Sequence, residues 1–482
     1  MSRLGWFLIV IVVLMAAVSS HAYYRLDYVA PTPKFASAEE HFLYGSIGTE
    51  KEAGVPYWIW LVLPRIFPDL LPPGGYAALG IFARDGHEMP IGLSKVDVGV
   101  PRVGVNCAFC HTASVRARAT EAPTFYPGAP AHQSGPQEYL RFLGRAASDP
   151  RFSADILLNE IARNTKLSLP DQVLYRFVLI PKTRVMLQQL ADDGEKTAPA
   201  WGRGRTDVVN LAKSTILLKP RDTSVGVADA MPLWHLQARE ANGYFWDRSN
   251  TSLREVVRAK AFVAGASTRW MDTDTVMWEH SEARQPSSLR RVVEYLSDLQ
   301  PPKYPFAVDS ALAASGAMTY AANCAQCHDA NGSRANTPIP INELGTDRRR
   351  LDAWSVNDAS AVNNAFGEGY DWKFSRFRGA SPGYVAPPLD GVWLNAPYLH
   401  NGSVPTLGDL LEPAASRPPR FWRGYDVYDQ TRVGFVSNDA DAQRIGTLFD
   451  ATQPGNDNGG HTYGTTLSAG EKRALIEYLK TR

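Results

Sequence analysis

Apolar residues fill positions 4–18 without a break, a run of 15 that follows Arg3 and leads into Ser19-Ser20-His21-Ala22. Such a run predicts a helix, yet it falls short of the roughly 20 residues that cross a bilayer comfortably. Ser20 and Ala22 form the small pair that precedes a signal-peptidase cut. Residues 1–22 therefore read as a signal peptide or as a membrane anchor, and on either reading the body from Tyr23 onward is periplasmic or secreted. Farther along, the pattern changes to helical spacing. Leu475, Tyr478 and Leu479 share one face of a helix that Ser468 and Glu471 open as a capping box. Glu294-Tyr295-Leu296 repeats Glu477-Tyr478-Leu479, and Gln300-Pro301-Pro302 stops the earlier copy. Two units follow, 23–302 and 303–482, both mainly α with long irregular loops. The first is oversized, and its surplus, residues 112–286, is expected to build a pocket wall.

Composition narrows the class. The 482 residues are 44% hydrophobic and 21% charged, with 50 Lys and Arg against 49 Asp and Glu. That excludes disorder, collagen and a multi-span membrane protein, and it offers no basic field for nucleic acid. The four cysteines carry the chemistry. They form two copies of one pattern, Cys107-Ala108-Phe109-Cys110-His111 and Cys324-Ala325-Gln326-Cys327-His328. An exported chain with an even cysteine count would otherwise read as a disulfide framework. C-x-x-C-H is instead the attachment motif of c-type haem, in which two thiols bond the porphyrin vinyl groups and the histidine reaches the iron. Two covalently bound haems c are expected, each on a cytochrome c-like lobe. In the second lobe Gly316 and Tyr320 lie on successive helical turns leading into Cys324, and Asp329-Ala330-Asn331-Gly332 ends the helix.

Axial ligands decide what each iron does, since a filled sixth position favours electron transfer and an open one admits a small oxidant. No methionine follows His328, so the second haem cannot take one from its own lobe. That lobe has two further histidines, His400 and His461, and bis-His ligation is its simplest six-coordinate state. His461 sits in the glycine-flexed loop Asn458-Gly459-Gly460-His461, just before the last helix. In the first unit, after His111, His132, His235 and His280 are the unassigned histidines, none with a further ligand signature. Phe245, Trp246 and Phe262 could line a dry face with no coordinating atom, leaving that iron open to a gas and an apolar substrate.

The two haem motifs, together with Trp393-Leu394-Asn395-Ala396-Pro397-Tyr398-Leu399-His400-Asn401-Gly402-Ser403, resemble the bacterial dihaem cytochrome c peroxidase superfamily, which includes the methylamine dehydrogenase maturation enzyme. From Leu63-Pro64-Arg65 to the last helix the chain is most similar to the dihaem rubber oxygenase and fatty-acid dioxygenase branch. The resemblance implies that the haem on His111 is the oxygen-binding one, with Phe245, Trp246 and Phe262 in its aromatic pocket. It implies a bis-His second haem with His461 as the sixth ligand. Residues 401–420 contain no methionine, tyrosine or histidine, where peroxidases and the maturation enzyme place a ligand, and this favours the oxygenase branch. The chain is shorter than typical rubber oxygenases, so the substrate does not transfer. Three readings stand at this point: oxidation of an apolar unsaturated substrate with oxygen, reduction of hydrogen peroxide with electrons from a small redox protein, and non-catalytic electron transfer with one of His132, His235 or His280 on the first iron. Trp393 could lie between the haems and assist electron transfer, but packing beside a proline turn is the favoured reading, and the role of His400 is open.

Overall fold

A computed structural model describes residues 2–27, 34–195, 200–220, 222–239, 243–279, 287–366 and 374–482. About 45% of the chain is helical and 11% is strand. The first helix, Arg3–Asp27, outruns the apolar stretch that predicts it, and its 18-residue window Arg3–Ser20 has a mean hydropathy of 2.1 with no part buried. Its length and composition fit a signal or an anchor.

Before the first haem motif the backbone is extended rather than helical. Leu93–Asp97 and Val55–Pro56 flank Pro101–Val105 in a three-stranded antiparallel sheet, with Leu93 opposite Val105 and Val55 opposite Val103. Valines at alternate positions of Val103-Gly104-Val105 suit a pleated, half-buried surface. A hairpin of Thr112–Val115 and Thr124–Pro127 follows the motif. The segment 112–286 then adds mainly helices, among them Pro136–Ser148, Ile180–Glu195, Val208–Thr215 and Leu253–Val263. The Ser288–Asp298 helix closes the unit against Ala38–Tyr44.

Past the linker, Ser310–Asn323 leads into Cys324 as its helical spacing predicts, and Ala469–Leu479 crosses it. The crossing depends on Gly316, because a Cβ there would lie 1.9 Å from the carbonyl oxygen of Ala474. The Ser468 and Glu471 capping box forms. One feature lies outside any local pattern. Ala113, Val115, Ala129 and Trp234 from before the linker share a core with Tyr320, Trp393, Val404 and Leu475 from beyond it. Trp393 is fully buried there, donates to the Pro302 carbonyl at 2.9 Å and meets Tyr126 edge to face at 5.4 Å.

Candidate haem-binding site

The second motif is the simpler of the two. Cys324 ends the Ser310–Asn323 helix, and Ala325–His328 adds one further turn, so a single helical corner presents Cys324, Cys327 and His328. His328 Nδ1 lies 2.7 Å from the Pro387 carbonyl. A carbonyl only accepts, so Nδ1 carries the proton and Nε2 keeps its lone pair for a metal. The His461 ring stands across from it, ring centres 6.3 Å apart and planes at 53°. That gap suits two imidazoles on opposite sides of one iron, given metal–nitrogen bonds of about 2 Å. Burial and then the neighbouring His328 push His461 down to about 4, and burial likewise lowers His328, so both rings are neutral at neutral pH, the form that can bind a metal.

The His461 loop is tied down from behind. Gly460 takes a φ of +70°, and a Cβ on it would lie 2.4 Å from the Leu344 carbonyl oxygen. The His461 amide donates to that same carbonyl at 2.8 Å. Beneath the loop Arg417 is buried, and its guanidinium donates to the carbonyls of Asn458, Gly460 and His461 at 2.7, 2.8 and 3.2 Å. It also reaches Glu412 and Leu410, both at 3.1 Å. None of the four cysteines forms a disulfide, and burial raises Cys107, Cys110 and Cys324 to about 11, 12 and 11.

The first motif does not sit on a helix of any length. It forms a single 3-10 turn, Cys107–Phe109, entered directly from the Pro101–Val105 strand. Asn106 makes that turn possible. Its side-chain oxygen accepts from Ala108 N at 3.0 Å while its amide donates to the carbonyls of Leu43 and Gly45 at 3.2 and 3.1 Å. His111 still closes on Cys107, its amide 3.1 Å from that carbonyl, so the three attachment residues share one turn. Burial and then Lys260 push His111 down to about 4.

Lys260, whose charge reaches His111, also lines a pocket that opens to solvent. Val208, Ala212, Phe245 and Lys260 line it from the surplus segment of the first unit, and Arg350 and Trp354 close it from the second. Of the three aromatics singled out by sequence, Phe245 reaches this lining. Trp246 donates to the Asp229 carbonyl at 3.0 Å, and Phe262 packs edge to face on Phe366 at 5.3 Å. The helix that carries Phe262 turns Lys260 to the cavity instead, two positions being about 200° around a helix. Sequence reasoning missed Lys260, and its signal was a lone charge in Ala259-Lys260-Ala261-Phe262-Val263.

The remaining histidines are engaged elsewhere. His132 is buried and stacked on Phe435, ring centres 3.3 Å apart, and His400 is buried and stacked on Tyr384 at 3.9 Å. His235 faces Asp390 at 3.7 Å. His280 lies outside the described residues.

Residues 383–423 match the family described as RoxA-like, cytochrome c-like. This stretch contains Pro387, Trp393, His400 and Arg417, so it supplies both the carbonyl behind His328 and the guanidinium beneath the His461 loop. A cytochrome c-like segment of this kind implies covalently bound haem c and is compatible with a haem oxidoreductase. Two curated relatives come from Sinorhizobium fredii. The uncharacterized protein y4iM is 35% identical over 235 residues, 40% of this chain and 53% of the relative. The uncharacterized protein y4iJ is 28% identical over 363 residues, 58% of this chain and 60% of the relative. The alignments thus span between half and two thirds of each relative's length.

Proposed function

We propose that this is an exported oxidoreductase with two haems c, one on Cys107, Cys110 and His111 and one on Cys324, Cys327 and His328. The first haem would supply activation of a small oxidant, oxygen ahead of hydrogen peroxide, and the second would supply electron transfer. The asymmetry of the two motifs carries this reading. His328 faces a second histidine at 6.3 Å, whereas His111 is buried within reach of the Lys260 charge, and Lys260 and Phe245 line a pocket with mostly apolar walls. His328 and His461 would hold the second iron. Phe245, with Val208 and Ala212, gives the pocket an apolar wall that favours an apolar, unsaturated substrate.

Reduction of hydrogen peroxide, with a small redox protein as electron donor, is the second reading. One observation favours it: the Lys260 amine beside His111, since splitting peroxide calls for a proton donor on the cavity side.

The test is electron paramagnetic resonance, with optical spectra, on the full-length ferric holoprotein. The expected result is one high-spin and one low-spin haem. His461→Ala should turn the low-spin signal high-spin with covalent haem content unchanged. Two low-spin signals in the native protein would instead favour a non-catalytic electron carrier. Oxygen uptake against peroxide turnover then separates the two catalytic readings.

A further inference from the structure

We propose that the outer face of the helical run from Leu169 through Val185 lies on an anionic lipid bilayer, as a membrane contact separate from the N-terminal apolar helix. The proposal is independent of the haem assignments.

The run is continuous: Leu169–Leu174, a π turn at Tyr175–Leu179, then Ile180–Glu195. Leu169, Val173, Phe177, Pro181 and Val185 recur along it every four residues, and all five are exposed. The four large ones, Leu169, Val173, Phe177 and Val185, are 76%, 58%, 69% and 54% exposed. Tyr175, Leu179 and Leu187 form the buried inner face, and Ile180–Glu195 packs on Pro136–Ser148. A spacing of four overshoots an α-helical turn by about 40° each time. The π turn takes in one extra residue and turns that drift back, so the exposed row stays on one side. On the neighbouring helix Ala154–Ala162, which Asp155 ties to Arg176 at 2.7 Å, Ile156 adds a further exposed apolar side chain. A contiguous apolar row on the outside of a folded chain marks a contact with a protein or a membrane.

Charge selects the membrane. Residues 163–185 carry five basic side chains, Arg163, Lys166, Arg176, Lys182 and Arg184, against one acidic, Asp171, although the chain as a whole is balanced at 50 against 49. Arg163 and Arg176 are paired with Glu160 and Asp155. Lys166 and Lys182 are exposed, with no ion-pair partner among the described residues. The three acidic residues of 192–195 lie two turns beyond Val185. Apolar side chains below the headgroups with amines at the phosphates is how an interfacial helix sits on an anionic bilayer. A second copy docked by the same face about a two-fold axis would set one basic rim against the other. The N-terminal window Arg3–Ser20 is long and apolar enough to cross a bilayer and is 0% buried, so a retained anchor would bring this face within reach of lipid.

Amine footprinting of the full-length holoprotein with an acetylating reagent, read by mass spectrometry with and without vesicles, tests the proposal. Lys303, exposed on the linker, is the reference. On vesicles containing phosphatidylglycerol, Lys166 and Lys182 should acetylate at least about 5-fold more slowly relative to Lys303, the factor that one basic side chain gains at such a surface. Phosphatidylcholine alone should protect them less. Val173→Asp combined with Phe177→Asp, both at exposed positions, should abolish the protection while the circular dichroism spectrum stays native. Unchanged relative rates with vesicles present overturn the proposal. So does protection that survives in the double variant, because the N-terminal helix alone would then account for it. Protection that appears without vesicles and grows with protein concentration would assign the face to a second copy of the chain and overturn it as well.

Discussion

Arg417 shows how one residue can set a ligand that it never touches. A guanidinium has five N–H donors in a rigid fork, and here they reach five carbonyls, three of them on the segment 458–461 that carries His461. Each buried carbonyl left without a donor costs about 1–3 kcal/mol, so the loop is held against a steep penalty. Arg417→Gln should release it. We expect the low-spin haem to become partly high-spin at room temperature while the first haem and total haem content stay as they were. Arg417→Lys keeps the charge but lacks the planar fork, and it should restore only part of the low-spin signal. A low-spin spectrum unperturbed in Arg417→Gln would show that Gly460 and the bond to Leu344 suffice. The attachment residues were legible from the sequence because their spacing is a covalent requirement. Neither Arg417 nor Lys260 was, since an arginine that binds carbonyls and a lysine that faces a cavity leave no local spacing behind.

At the scale of elements, the joint between Ala38–Tyr44 and Ser288–Asp298 contains a buried titratable group. His41 Nε2 donates to the Ser288 carbonyl at 3.1 Å. Burial pushes His41 down to about 4, with Arg291 adding to the effect against the pull of the Ser288 carbonyl. The unfolded histidine, near 6.5, binds a proton that the folded one refuses, so this joint is fully stable above pH 6.5 and loses stability as pH falls toward 4. The loss amounts to up to about 3 kcal/mol. Urea unfolding at pH 7.5 and pH 5 should show His41→Gln, which can still donate to Ser288, losing less stability over that interval than the native protein. Equal losses would place the acid sensitivity elsewhere. The Ser288–Asp298 and Ala469–Leu479 helices were readable in advance because periodicity and caps are local. The strands before Cys107 were not read from the sequence. Alternating valines did mark them, but a haem motif draws attention to the helical geometry of its other copy, and Asn106 shows that a capped 3-10 turn presents the same three residues.

For the whole molecule, the boundary near 302 falls between two helices, and the core crosses it. The linker near 302 separates the closing helix of one unit from the opening helix of the next, yet the core around Trp393 takes residues from both sides. Buried ion pairs cross the same boundary. Asp229 meets Arg423 at 2.5 Å, with the two side chains 8% and 1% exposed, while its amide donates to the His400 carbonyl at 2.9 Å. Pairings nearly 200 residues apart leave no mark in a local pattern, which explains why two separate lobes were the natural expectation. Asp229→Asn preserves shape and strands the Arg423 charge in the interior, a change worth about 3–5 kcal/mol. If the units fold as one, the variant should lower the melting temperature seen at both haem chromophores by the same amount, in a single transition. Two transitions, with only one displaced, would mean that the shared core is a contact between independent lobes. In that case electron flow between the haems would depend on how firmly the lobes dock, and Trp393, with the Tyr126 and Pro302 contacts it makes across the boundary, would be the residue to substitute next.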